Sequence, residues 1–271
     1  MPQKVLLILV LVLVAFFALL FLSPGLLADN QEEFYKVLPL KATGTFSLDN
    51  VNGGVTITTW KEDKVEIKAL KKTRKSAENL QKVKIEIVEA PDSIAVKTIY
   101  PKRENTGVSV DYDIRVPENV HLDAVETVNG GINISGPFGR VSASTVNGLV
   151  RVENASGDLR LATTNGNINA INIVGKISAE TTNGSIELRI SALEDELSAE
   201  TVNGSITLAM SPAQEINAEL DAQTVNGSIS LDFPITLQGL QKSKHNLKGR
   251  IGQGGPLIAL ETVNGSIHLK K

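Results

Sequence analysis

The chain has 271 residues, a formal net charge of −3, no cysteine, and only 4% aromatic residues. That balance offers no basic face to a phosphate backbone and few rings for bases to stack on, which argues against a nucleic-acid partner. Without cysteine there is no disulfide framework, thiolate nucleophile, Cys zinc site or lipid-modified cysteine.

The N-terminus carries a targeting signal. MPQK is followed by VLLILVLVLVAFFALLFL (5–22), a run without a charge. Its roughly 27 Å of helix would match the hydrocarbon core of a bilayer. SPG (23–25) ends the run. Residues 1–28 therefore read as a signal-anchor, or as a signal peptide cut after Ala28. The length of the run and Leu26, where a small residue is usual, favour the anchor. Both readings place residues 30–271 outside the cytoplasm, in the periplasm or at the cell surface, with the membrane as a partner.

Residues 29–44 read as a polar linker. Alternation begins at Thr45 in TFSLDNVNGGVTITTW and KVEIKAL, the pattern of half-buried strands. KKTRKSAENLQKV (71–83) is the one segment that reads as a soluble helix. KIEIVEA, SIAVKTIY and VSVDYDIRVP return to alternation. Residues 45–120 are thus an N-terminal β block with one short helix.

Residues 121–271 repeat. Asn-Gly recurs at Asn52, Asn129, Asn147, Asn165, Asn183, Asn203, Asn226 and Asn264, and from Asn129 the spacings are 18, 18, 18, 20, 23 and 38. A constant step that later stretches is one unit with loop insertions. The last step is close to two units, the middle one having lost its Asn-Gly within KSKHNLKGRIGQGGP. Within a unit, Ile177, Ala179 and Thr181 share a face before the turn, and Ile186, Leu188 and Ile190 continue it afterwards. One such unit cannot bury its apolar face alone, whereas stacked units can.

Two architectures fit. Asn-Gly between strands is a hairpin signal, and repetition would give an antiparallel meander. The uniformity of TVNGSI beyond the two turn residues favours an all-β solenoid, in which equivalent residues stack about 4.8 Å apart. In that solenoid Asn-Gly is a corner. Gly130, Gly148, Gly166, Gly184, Gly204, Gly227 and Gly265 would take positive φ, and the asparagines would point inward and bond from coil to coil. A second, glycine-bearing corner would use SGPFGR (135–140), NASGD (154–158) and IVGK (173–176).

The tandem TVNGSI units, the exported N-terminus, the DYDIRVP strand just before the repeats and the GRIGQGGPLIALETVNGSIHL end together resemble the DUF4097 family of bacterial β-strand repeat proteins over residues 40–271. Related families are the GIN-type and LiaG/LiaX-type envelope proteins. The resemblance implies a β-solenoid-like domain outside the cytoplasm, no known catalytic residues and no settled molecular function; no metal or cofactor is expected.

Candidate chemistry is sparse. Glu126, Glu180, Glu200 and Glu261 would form an outer column interrupted by Ser144, Ala162 and Gln223, and the column reads as a solvated face. Asn183, Asn203, Asn226 and Asn264 precede Gly-Ser as sequons, but inward corners leave no room for a glycan. Asp111 and Asp113 are the one close acid pair outside loops, and on a strand they share a side. His121, His245 and His268 show no metal spacing. Lys242, Lys244, Lys248 and Arg250, in the long loop 233–256, form a candidate binding loop for anionic lipid or wall polymer, and KKTRK (71–75) is a second basic cluster. The functional expectation is a non-enzymatic envelope protein with an adhesin-like binding module. Its partner would be a protein, a cell-wall glycan or a second copy of itself. The alternatives are an anchored accessory of envelope-stress signalling and a glycan-active β-helix enzyme.

Overall fold

The computed structural model describes residues 29–211, 217–232 and 236–270. The apolar run at 5–22, with its two readings, lies outside the described residues. Among the described residues no helix is long and apolar enough to cross a membrane.

The repeats form a two-sheet solenoid. In each coil one strand ends on Thr-x-Asn, the Asn-Gly corner turns the chain, and a second strand returns in the opposing sheet. The first strands are β8 (His121–Asn129), β10 (Arg140–Asn147), β12 (Asp158–Asn165), β14 (Ile177–Asn183) and β16 (Leu197–Asn203). The second strands are β9 (Ile132–Ser135), β11 (Val150–Glu153), β13 (Ile168–Val174), β15 (Ile186–Ala192) and β17 (Ile206–Met210). Neighbouring coils pair in parallel, with Asn147 opposite Asn165, Asn165 opposite Asn183, and Asn183 opposite Asn203. This pairing excludes the antiparallel meander for the repeats. The reason is burial: Leu159, Ile177, Ala179 and Leu197 of one sheet, and Ile168, Ile186, Leu188 and Ile206 of the other, all lie in a single core between the sheets.

The N-terminal block continues both sheets. β2 (Thr45–Asp49) and β3 (Val55–Trp60) form the coil that bears Asn52, parallel to β8 and β9. β6 (Ser93–Ile99) and β7 (Val108–Pro117) form one more coil on its far side, parallel to β2 and β3. Antiparallel strands then close both edges. β4 (Lys64–Thr73) pairs with β7, β1 (Asn30–Pro39) with β4, and β5 (Lys84–Ala90) with β6.

Two expectations change here. Residues 30–39 of the supposed linker are strand β1; its inward positions include Phe34 and Leu38, but Lys36 between them breaks the alternation that would have revealed it. The helix is only α1 (Glu78–Lys82). Residues 71–73 finish β4, with Lys71 and Thr73 buried inward, and Lys71 is held there by Glu32 at 2.9 Å.

The C-terminus departs from chain order. β18 (Ala218–Asn226) and β19 (Ile229–Leu231) do not stack on the preceding coil. Instead β22 (Leu257–Asn264) lies between β16 and β18, and β23 (Ile267–Lys270) lies between β17 and β19. Among the described residues of 233–256 there is no middle coil. β20 (Thr236–Lys242) and β21 (Asn246–Ile251) form an antiparallel hairpin on the outer edge of β18. The step of 38 is therefore a hairpin excursion, after which the chain returns to fill a gap.

Candidate functional site

Three columns run along the Asn-Gly edge. The threonine column is buried, and each hydroxyl donates to a glycine carbonyl of the neighbouring coil: Thr145 to Gly130 (2.9 Å), Thr163 to Gly148 (3.1 Å), Thr181 to Gly166 (3.0 Å) and Thr201 to Gly184 (2.9 Å). The asparagine column is in register but lies outside, in solvent. Nδ2 of Asn129 donates to Oδ1 of Asn52, and the same bond repeats through Asn147, Asn165, Asn183, Asn203, Asn264 and Asn226 at 2.8–2.9 Å. The inward expectation fails because the pleat breaks at the corner, so that Thr182 and Asn183 both face out.

The glycine column is corrected too. None of the seven glycines expected there has a positive φ; on this edge only Gly53, which follows Asn52, does (+122°). The rest are needed for space: a Cβ on Gly148, Gly166, Gly184 or Gly204 would sit 1.8–2.1 Å from the glycine carbonyl of the next coil. Positive φ belongs to the opposite corner, at Gly136, Gly157, Gly175, Asn154 and Asn172. There Asn172 donates to Asn154 (2.6 Å) in a short second ladder, which the 18-residue interval between them could have disclosed.

The two ladders differ in weight. Thr181→Val leaves the half-buried Gly166 carbonyl unmet and is expected to cost about 1–3 kcal/mol, whereas Asn183→Ala loses water-exposed bonds and should cost about 1 kcal/mol or less. Urea unfolding of both variants checks the order.

The N-terminal end carries non-repetitive surface. On the outer face of β1, β4, β7 and β3 lies an open groove of about 690 Å³, lined by Glu33, Tyr35, Thr56, Lys68, Leu70, Asp111 and Asp113. Asp111 and Asp113 do share this side. Asp111 is already engaged, accepting from the Gly54 amide (2.9 Å) and from Lys72 Nζ (3.0 Å), while Asp113 is exposed. Tyr35 is 62% exposed.

At one rim Glu66 gathers Arg115, the Tyr35 hydroxyl (3.1 Å) and Lys68 (3.4 Å), and the Arg115 guanidinium stacks 4.6 Å from the centre of the Trp60 ring. Sequence reasoning missed this cluster. The signal available was the single tryptophan of the chain, at the end of an alternating strand.

Burial pushes the Glu66 carboxyl up, but the hydrogen bonds from Arg115 and Tyr35 and the Arg115 charge outweigh it and hold the group below its ordinary value. A depressed carboxylate stabilises the fold above its unfolded pKa, and that contribution disappears as pH falls through the native value. Stability should therefore drop below about pH 4.5 in part through this residue. Glu66→Gln should flatten that limb in pH-dependent urea titrations.

A family model described as Toastrack DUF4097 matches residues 40–270. The chain belongs to the Toastrack DUF4097 family. No curated protein matches it. Among solved structures, the Toastrack chain is similar to a putative cell adhesion protein from Clostridium sporogenes (15% identity, TM-score 0.41, covering 89% of this chain and 99% of that one). It is also similar to a putative adhesin from Bacteroides fragilis (12%, 0.45, 88% and 97%) and to a putative lipid binding protein from Parabacteroides distasonis (16%, 0.47, 90% and 98%).

The other predicted residues of this Toastrack chain find structural roles. Lys248 and Arg250 lie on β21 and form cross-strand ion pairs with Asp221 (2.6 Å) and Glu219 (2.9 Å) of β18. They fasten the capping hairpin. Lys244 is exposed at the hairpin turn, and Lys242 ends β20. Glu180, Glu200 and Glu261 stack in register, separated from Glu126 by Ser144 and Ala162. Among the described residues no acidic or histidine group is placed to hold a metal ion. His268 Nδ1 meets Ser230 Oγ at 2.7 Å, and among the described residues no carboxylate pairs with that histidine.

Proposed function

We propose that the chain is an exported, non-enzymatic cell-envelope protein whose solenoid is a rigid support for a binding groove at its N-terminal end. The observation that carries this reading is where the irregular side chains fall. The repeats spend their residues on core, corner and ladder, while Tyr35, Lys68, Leu70 and Asp113 share one open groove and serve none of those purposes. An exposed aromatic beside carboxylates and a lysine suits a polar partner with apolar faces, such as a cell-wall glycan or a protein segment. The engagement of Asp111 by Gly54 and Lys72 supports a structural role for the acid pair over a catalytic one.

The test applies full-length protein to an array of bacterial envelope glycans and wall fragments, with mass spectrometry of any products. Binding without turnover is expected, and Tyr35→Ala with Asp113→Asn should weaken it about tenfold or more. Turnover overturns the non-enzymatic reading. Retention unchanged in the double variant overturns the groove.

A further inference from the structure

The basic segment at 71–75 acquires a setting in the fold. β4 ends at Thr73, β5 starts at Lys84, β6 ends at Ile99 and β7 starts at Val108. The connections 74–83 and 100–107 therefore leave the first coils at one rim. Lys75 Nζ donates to the Asn105 carbonyl (2.5 Å), and Lys82 pairs with Glu104, which ties the two connections together. Asn30, the first residue of β1, donates from Nδ2 to the Lys75 carbonyl (2.8 Å), so the chain joins the fold at this same rim.

Arg74, Lys75, Lys82, Lys84, Lys102 and Arg103 are all exposed there, against Glu78, Glu104, Asp29, which pairs with Arg74, and Glu32, which accepts from Gln81 and pairs with Lys71. In a chain of net charge −3 this is a local excess of cations. Arg103 adopts φ +65° in the turn after Pro101, the left-handed region that non-glycine residues seldom enter.

We infer that this rim docks on the anionic lipid headgroups of the membrane in which residues 5–22 are anchored. The inference rests on the envelope reading above together with the signal-anchor reading of residues 1–28. Seven residues, 23–29, separate the apolar run from Asn30. Fully extended they reach about 25 Å, so the rim holding Asn30 is the part of the fold kept nearest the bilayer. At that effective concentration a weak electrostatic surface suffices, because each Lys or Arg close to an anionic leaflet adds favourably. The long axis of the solenoid would then be fixed relative to the membrane, with the groove beside β1 held close to the surface.

The experiment uses the full chain, which contains no cysteine, so Ser76→Cys on the rim and Thr164→Cys in mid-solenoid each give a single fluorophore site. Each labelled protein is reconstituted into vesicles carrying nitroxide headgroup lipid, either in pure phosphatidylcholine or with about 30% phosphatidylglycerol. In the anionic vesicles the Ser76 label should be quenched several-fold more than the Thr164 label. The excess should vanish in phosphatidylcholine and at about 0.5 M salt. Lys75→Gln, Lys102→Gln and Arg103→Gln together should lower the ratio of docked to undocked protein about tenfold or more. Equal quenching at both sites, in protein that still floats with the vesicles, overturns the docking and leaves the anchor standing. Protein that fails to float with vesicles overturns the anchor, and the docking with it.

Discussion

Removing residues 257–271 is expected to disorganise the solenoid from about residue 211 onward, well inside the remaining chain. The last unit is interior in space: β22 separates β16 from β18, and β23 separates β17 from β19. Ile258, Leu260, Thr262, Ile267 and Leu269 are at most 1% exposed. The four apolar side chains contribute about 6–12 kcal/mol of burial, at about 1.5–3 kcal/mol each. Their loss also strips the inward pairing partners, β22 and β23, from the coil at 218–231 and leaves that coil joined only to the capping hairpin. Limited proteolysis with mass spectrometry checks this. The protected product of the truncated chain should end near Met210, and Leu260→Ala in the full chain should cost about 2–5 kcal/mol, as much as Leu188→Ala in mid-chain. A truncated protein that keeps 218–251 protected would show β18 docking directly on β16 and would sink the prediction.

Gly184→Ala is the second large effect. A Cβ at Gly184 would lie 1.8 Å from the Gly166 carbonyl oxygen and 2.5 Å from its carbon, and backbone in a stacked coil cannot move aside without separating two hydrogen-bonded strands. The expected cost is about 3 kcal/mol or more, a fall in Tm of roughly 6–12 °C for a domain of this size. Gly54→Ala is the matched control. It belongs to the same edge, but its Cβ would come no closer than 3.7 Å to Gly131, and stability should change by no more than about 0.5 kcal/mol. Equal losses in the two variants would assign the effect to glycine conformational freedom and not to the spacing of the coils.

Much of the architecture is written in period and parity. The step of 18 and the phase of Ile177, Ala179, Thr181, Ile186 and Leu188 are consequences of stacking, so they predict it. What stays hidden is what stacking does not constrain. The sequence around Asn183 reads the same whether its amide faces core or water, because the threonine two residues earlier meets the half-buried carbonyl in its place. The corner glycines look like positive-φ residues, since glycine is permissive for two distinct reasons and local sequence cannot separate them. The exchange of order between the units bearing Asn226 and Asn264 is invisible because equivalent coils offer equivalent neighbours, and only the hairpin at 236–251 decides which one lies outermost. At the groove, Asp111 and Asp113 were legible as a pair. Glu66 and Arg115 were not, because nothing local announces that two strands 49 residues apart bring them together.

The asparagine row also has a direction. From Asn129 to Asn226 every Nδ2 donates toward the coil that bears Asn52. Reversing a single interior amide would set two amino groups face to face on one side and two oxygens on the other. The row can therefore reverse only as a whole, like a line of magnets, and each added coil deepens that commitment. The protein therefore carries a head and a tail in its side chains as well as in its backbone.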